Sequence, residues 1–226
     1  MAIITISRQY GSGGNEIAAW VSEKLGYPLF DKSLIDKAAA EAGLSQKEIL
    51  DFSEENHKIT SFLDRLFSRM AVSAYVRTWE YPELLESPVE EPLDETTMLT
   101  LVQKAVRSAC ESGNMIIVGR GSQAILKDET GVIRVRIVAP LEDRIQRVKE
   151  EFKLTRQSFP ADVETRRKAQ DLIVERDATS SEYIKRFYSM NSDDPLMYTV
   201  VLNTGQLSIE QAGMMIVDLV KEFEEA

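Results

Sequence analysis

Residues 7–20 read SRQYGSGGNEIAAW and follow the apolar run AIITI at 2–6. A strand that turns through glycines into a helix is suited to holding phosphate. Its backbone N–H groups share one concavity, and the helix N-terminus adds partial positive charge. Gly11, Gly13 and Gly14 stand where such a loop needs them, but the pattern G-x-x-x-x-G-K-[ST] is broken. The lysine position holds Gly14, followed by Asn15 and Glu16. Gly11, Ser12, Gly13, Gly14, Asn15 and Glu16 therefore read either as a phosphate cradle without the lysine that neutralises the β- and γ-phosphates or as a glycine-rich strand–helix turn with no ligand. The hydroxyl that ligates Mg²⁺ is missing too, and Glu16 is the side chain that could approach a metal instead. Arg8 is the nearest cation. It either folds across the loop in the lysine's place or is a surface arginine beside a turn, and the residues leave both readings open.

Beyond this loop, short apolar runs rich in β-branched residues recur: MIIVG (115–119), VIRVRIVA (132–139), YTVVLNT (198–204) and the weaker YPLFD (27–31). Amphipathic stretches of helical length separate most of them, which points to a parallel sheet with helices on its faces. The last helix is the clearest: Ser208 and Gln211 form a capping box, and Ile209, Ala212, Met215, Ile216, Leu219, Val220 and Phe223 lie along one stripe. The first helix carries Ile17, Val21 and Leu25 on one side and stops at Gly26, before Pro28. Strand four conflicts with this scheme. It alternates Arg134 and Arg136 with apolar residues, where a parallel strand covered on both faces is apolar throughout.

About 80 residues separate the second and third strand patterns, far more than one crossover needs. That insertion carries helical patterns at 33–51, 57–78 and 95–112. Its segment 80–95, EYPELLESPVEEPLDE, has seven acids, three prolines and no base, and reads as an exposed loop. The 226 residues carry a net charge of −10, which argues against a broad nucleic-acid-binding face. One cysteine, Cys110, excludes an internal disulfide framework, and with one histidine a Cys/His zinc site is excluded as well. No run approaches a membrane span, so the expectation is a cytoplasmic protein with neither nucleic-acid nor membrane partners.

Four patches resemble the nucleoside monophosphate kinases, and specifically the cytidylate kinase-like family. They are SRQYGSGG (7–14), LGYPLFDKSLI (25–35), IIVGRGSQAIL (116–126), and LEDRIQRVKEEF (141–152) with ERDATSSEYIKRFY (175–188). The resemblance covers most of the chain and is weakest over 50–112. It implies an α/β, three-layer P-loop kinase-like fold with a five-stranded parallel sheet in the order 2-3-1-4-5. The whole of 1–226 would be one domain, with a helical substrate-side insertion at about 33–112 and a lid at about 144–190.

The same resemblance implies a role for each matching residue. Arg120 would hold the substrate phosphate, and Asp31 would open the monophosphate-binding region. Arg144, Arg147, Arg176 and Arg186 would be lid or near-lid cations, and Asp177 would orient an arginine or the substrate base. Arg8, Arg120, Arg176 and Arg186 are accordingly the candidate catalytic residues, with Asp31, Arg120 and Asp177 on the substrate side. ATP and Mg²⁺ are the implied cofactors, with no dedicated protein metal site, and the partners would be a nucleotide and a small-molecule acceptor. The chain departs from the family's Asp–Gly–Arg–Asp run at Val118, Gly119, Arg120 and Gly121, and so lacks both carboxylates. The expected activity is phosphoryl transfer from ATP to a nucleoside monophosphate or similar acceptor. The alternative is a catalytically inactive nucleotide-binding sensor.

Overall fold

Strand β1 (Ile3–Arg8) lies at the centre of a five-stranded, wholly parallel sheet of order β2-β3-β1-β4-β5. The flanking strands are β2 (Leu29–Phe30), β3 (Met115–Val118), β4 (Val132–Val138) and β5 (Val200–Asn203). This computed structural model describes residues 2–30, 95–154 and 162–225. Asp31, the helical patterns at 33–51 and 57–78, and the acidic stretch up to residue 94 lie outside the described residues. The chain divides into two compact units. One comprises Met1–Phe30 with Ser112–Ala226 and holds the sheet; the other is Asp31–Glu111 and includes helix α2 (Glu95–Glu111).

In the first unit, α1 (Gly14–Leu25) follows β1, and α3 (Ser122–Ile125) follows β3. Helix α4 (Leu141–Leu154) follows β4, then the long α5 (Asp162–Tyr188), and α6 (Ile209–Glu225) closes the chain after β5. The registers Ile3↔Met115 and Ile3↔Val132 show how the sheet sorts its side chains. Ile4, Ile6, Ile116, Val118, Ile133, Val135 and Ile137 share one face and pack against Ile17, Ala18 and Val21 of α1 and Ala212, Ile216, Val217 and Val220 of α6. Each such buried aliphatic side chain contributes about 1.5–3 kcal/mol.

The opposite face explains the arginines of β4. Thr5 is in register with Arg134 and Ser7 with Arg136, so the second face is polar where it crosses these two strands. Arg134 Nη1 donates to the Lys127 carbonyl just beyond α3 at 2.8 Å. Arg136, 8 % exposed, donates to Ser7 Oγ at 2.9 Å and Asp193 Oδ1 at 2.7 Å, and its guanidinium lies 5.6 Å from the Tyr198 ring centroid. The apolar-throughout rule for covered parallel strands yields here because both guanidinium groups reach defined acceptors within the layer or at its edge.

The ends of the helices are chemically specified. Gly26, left-handed at φ 69°, caps α1 by donating its N–H to the Ser22 carbonyl at 2.9 Å. At α6, Ser208 N donates to Gln211 Oε1 at 2.9 Å while Gln211 N donates to Ser208 Oγ at 3.1 Å, a reciprocal capping box. The buried stripe of α6 is rotated from the one read in sequence. Gly213 and Val217 face inward, whereas Met215 and Phe223 are 49 % and 43 % exposed. The cause is Gly213, whose missing side chain lets the Trp20 ring of α1 lie against the helix backbone. Among the described residues no helix is long and apolar enough to cross a membrane.

A β-carbon at position 213 would stand inside contact distance of Trp20 Cε3, a rigid ring atom. Alanine gains about 1 kcal/mol over glycine in a helix interior, but overpacking costs about 1–3 kcal/mol. Gly213→Ala should therefore lower the unfolding free energy by about 1 kcal/mol, measured by urea titration, against the direction that helix propensity alone would give.

Candidate functional site: the loop between β1 and α1

The connections that leave the carboxyl ends of β1, β3, β4 and β5 meet at one edge of the sheet, the edge where open α/β sheets bind ligands. Central among them is the loop 9–13. Gly11 and Gly13 are left-handed, at φ 75° and 81°. The first helical hydrogen bond of α1 runs from Ile17 N to the Gly13 carbonyl at 3.0 Å, so the amides of Gly13 to Glu16 precede the ladder. Gly11, Ser12, Gly13, Gly14, Asn15 and Glu16 thus form a single turn of backbone at a helix N-terminus.

What aims these amides is a set of contacts to the carbonyls behind them. A trans peptide points its oxygen and its N–H in opposite directions, so fixing one aims the other. The Ser12 carbonyl accepts from Thr204 Oγ1 at 2.6 Å, which turns the Gly13 N–H away from β5. Arg147 Nη1 donates to the Gly11 carbonyl at 3.3 Å, and the same guanidinium donates to Thr204 Oγ1 at 3.0 Å and to the Thr204 carbonyl at 2.8 Å. Arg144 Nη1 donates to the Tyr10 carbonyl at 3.4 Å, which aims the Gly11 N–H.

Arg144 is 8 % exposed and ion-paired to Asp177 of α5, whose other oxygen accepts from Tyr10 N at 2.9 Å. Removing Asp177 would leave the buried Arg144 guanidinium without its counter-charge. Arg144 and Arg147, expected as lid cations, are thus bonded into the loop they were expected to cover. Both carboxylate oxygens of Asp177 accept from the chain itself.

Arg8 lies on the other side of the loop. A β-carbon on Gly14 would stand 2.6 Å from Arg8 Cβ and 3.0 Å from its Cγ, so the arginine stem fills the space a side chain at 14 would leave by. Arg8 Nε donates to Asn15 Oδ1 at 3.0 Å. Gly13 is closed from a third direction: its β-carbon would meet Ile209 Cδ1 at 2.6 Å.

Arg120 sits in the turn after β3, where Gly119, Arg120 and Gly121 are all left-handed at φ 70°, 61° and 67°. That conformation costs a non-glycine residue roughly 1 kcal/mol or more, and it holds Arg120 at 8 % exposure. Gly121 abuts the rings of Tyr183 and Tyr188 at the end of α5. On the same helix Arg186 is exposed, while the charge of Arg176 reaches the Tyr10 phenol. Burial, and then Glu151, push that phenol's pKa up; Arg176 opposes them. Among the described residues no three His, Cys, Asp or Glu side chains gather as a metal site. Thr204 and Tyr10 carried no functional signal in the sequence, although Thr204 stands where an apolar strand ends, at the binding edge of the sheet.

Residues 3–206 match the sequence model of the cytidylate kinase-like family. The chain belongs to that family. A cytidylate kinase from Archaeoglobus fulgidus is 25 % identical over 214 residues, covering 92 % of this chain and 88 % of the relative. Among solved structures, an uncharacterized protein from Eubacterium ventriosum aligns with a TM-score of 0.61 and 18 % identity, over 98 % of this chain and 99 % of that one. A shikimate kinase from Bacteroides thetaiotaomicron aligns at a TM-score of 0.47 and 14 % identity, over 97 % and 98 %. The family match and the parallel sheet of order β2-β3-β1-β4-β5 together give a P-loop kinase-like fold.

Thr204 is buried and its hydroxyl both accepts from Arg147 and donates to Ser12. Thr204→Val keeps the shape and removes these two bonds together with the hydroxyl's longer one to the Val138 carbonyl at 3.3 Å. It should destabilise the protein by about 2 kcal/mol in urea unfolding, the scale of leaving buried partners unmatched.

Proposed function

We propose that this protein is an ATP-dependent small-molecule kinase that transfers a phosphoryl group to a nucleoside monophosphate or a similar small acceptor. The observation that carries the reading is the loop itself: amides 13–16 stand at the start of α1, their orientation set from behind, with an arginine stem where the P-loop lysine would project. Phosphoryl transfer asks a protein for positioning and charge stabilisation rather than covalent chemistry, and these residues supply both.

In this reading the amides of Gly11 and of Gly13 to Glu16 hold the β- and γ-phosphates. Arg8 takes the charge-neutralising role of the missing lysine. Its guanidinium stays protonated at any working pH and bridges two phosphate oxygens. Arg120 holds the acceptor's phosphate, while Arg176 and Arg186 on α5 add positive charge as the site closes and excludes water. Mg²⁺, when bound with the nucleotide, neutralises phosphate charge. Glu16 is the loop carboxylate suited to it, because the Asn15 oxygen is engaged by Arg8. The chain is read as one kinase-like domain with an insertion at about 33–112 and a lid at about 144–190, working in the cytoplasm.

The competing reading, a nucleotide-binding sensor without turnover, rests on the same loop together with the carboxylates missing at Val118 and Gly121. ADP release from ATP over a panel of nucleoside monophosphates and small hydroxyl acceptors separates the two. Turnover with an acceptor supports the kinase, whereas nucleotide affinity without turnover anywhere in the panel selects the sensor. Arg8→Ala should lower kcat/KM about 100-fold, the scale of losing one preorganised donor to developing charge. Steady-state kinetics with unaltered kcat/KM in that variant would return Arg8 to an ordinary surface residue.

A further inference from the structure

Arginine carries only donors, so the group that Asn15 turns toward Arg8 Nε is its oxygen. Among the described residues this 3.0 Å bond is the only one made by the Arg8 side chain, and it uses the nitrogen nearest the stem. Both Nη groups remain for a ligand, in the fork geometry that matches two oxygens of one phosphate. The stem itself is confined, since it runs through the place where residue 14 would carry a β-carbon. Gly14 is not left-handed, so no backbone demand explains the glycine there, whereas the close approach of Arg8 does.

We propose that Asn15 and Gly14 are positioning residues for Arg8, and that the three form one interlocked anion clamp: the glycine admits the stem, and the asparagine fixes the rotation of the guanidinium. This deepens the kinase reading and rests on it. The clamp's ligand is the terminal phosphate of a polyphosphate. Asn15 occupies the slot whose hydroxyl ordinarily ligates Mg²⁺, so the clamp replaces the lysine by Arg8 and gives that slot the task of holding Arg8 still.

A double-mutant cycle on the full chain tests this, with calorimetric binding of inorganic tripolyphosphate and of a non-hydrolysable ATP analogue as readouts. Asn15→Ala and Gly14→Ala should each weaken both ligands about 10-fold, the order of loss expected when a preorganised group is set free or displaced. In an Arg8→Ala background neither should weaken binding further, because what they position is gone. Urea unfolding of each variant identifies any that fail to fold, and nitrogen-15 NMR supplies a readout that global folding does not move. The Arg8 Nε–H signal should shift on Asn15→Ala, and addition of tripolyphosphate should slow guanidinium rotation in the unsubstituted protein but not in that variant. Asn15→Ala with unchanged affinity, or with an equal loss when Arg8 is already absent, overturns the clamp while leaving the kinase reading standing. An unsubstituted protein that binds neither ligand overturns both.

Discussion

The binding edge depends on carbonyl oxygens being held from behind. A glycine-rich loop left to itself would sample many orientations of its peptide planes, and an anion would have to order them at an entropic cost of about 1–2 kcal/mol per residue. Here that ordering is part of folding. Thr204 takes the Ser12 carbonyl, Arg147 the Gly11 carbonyl and Arg144 the Tyr10 carbonyl, so the amides on the far side of those planes are already turned. The contacts come from Thr204, just after β5, and from α4, so the N-terminal loop is completed by residues 134 to 192 positions further along the chain.

The same logic separates two kinds of cation in one site. Arg144, 8 % exposed and paired with Asp177, is structural in its chemistry, and Arg147 is likewise engaged with the chain. Among the described residues Arg8 makes a single side-chain bond, through Nε. A positive charge near a phosphate loop is therefore not by itself a phosphate ligand; the distinction lies in which nitrogens are already engaged.

Much of the architecture was legible. The N-terminal apolar run, the alternation of strands with helices and the Ser208–Gln211 box each follow from local patterns, and together with the family resemblance they led to the observed 2-3-1-4-5 order. Arg134 and Arg136 were visible as a violation, and the violation was informative: on the face they share with Thr5 and Ser7, hydrogen bonds replace aliphatic packing at those positions. The placements of Arg144 and Arg147 were not legible, because a charged helix with arginines three apart reads equally well as a solvated face. Their partners, Asp177 and Thr204, stand 33 and 57 residues further on, beyond the reach of any local pattern. The rotation of α6 escaped for a related reason, since a glycine contributes nothing to a hydrophobic stripe although it decides which side can approach a tryptophan.

The shared space of Arg8 and Gly14 also constrains how such a loop can change over generations. A lysine introduced at 14 while Arg8 remains collides with its stem, and loss of Arg8 while glycine remains removes the cation beside that glycine without supplying the lysine. Neither step alone leads back to the lysine-bearing form, so passage between the two loops requires both positions to change nearly together. The two solutions are neighbours in three dimensions and strangers in mutational distance. A lineage that has adopted the arginine is therefore held there by sterics, whatever the relative merits of the two cations.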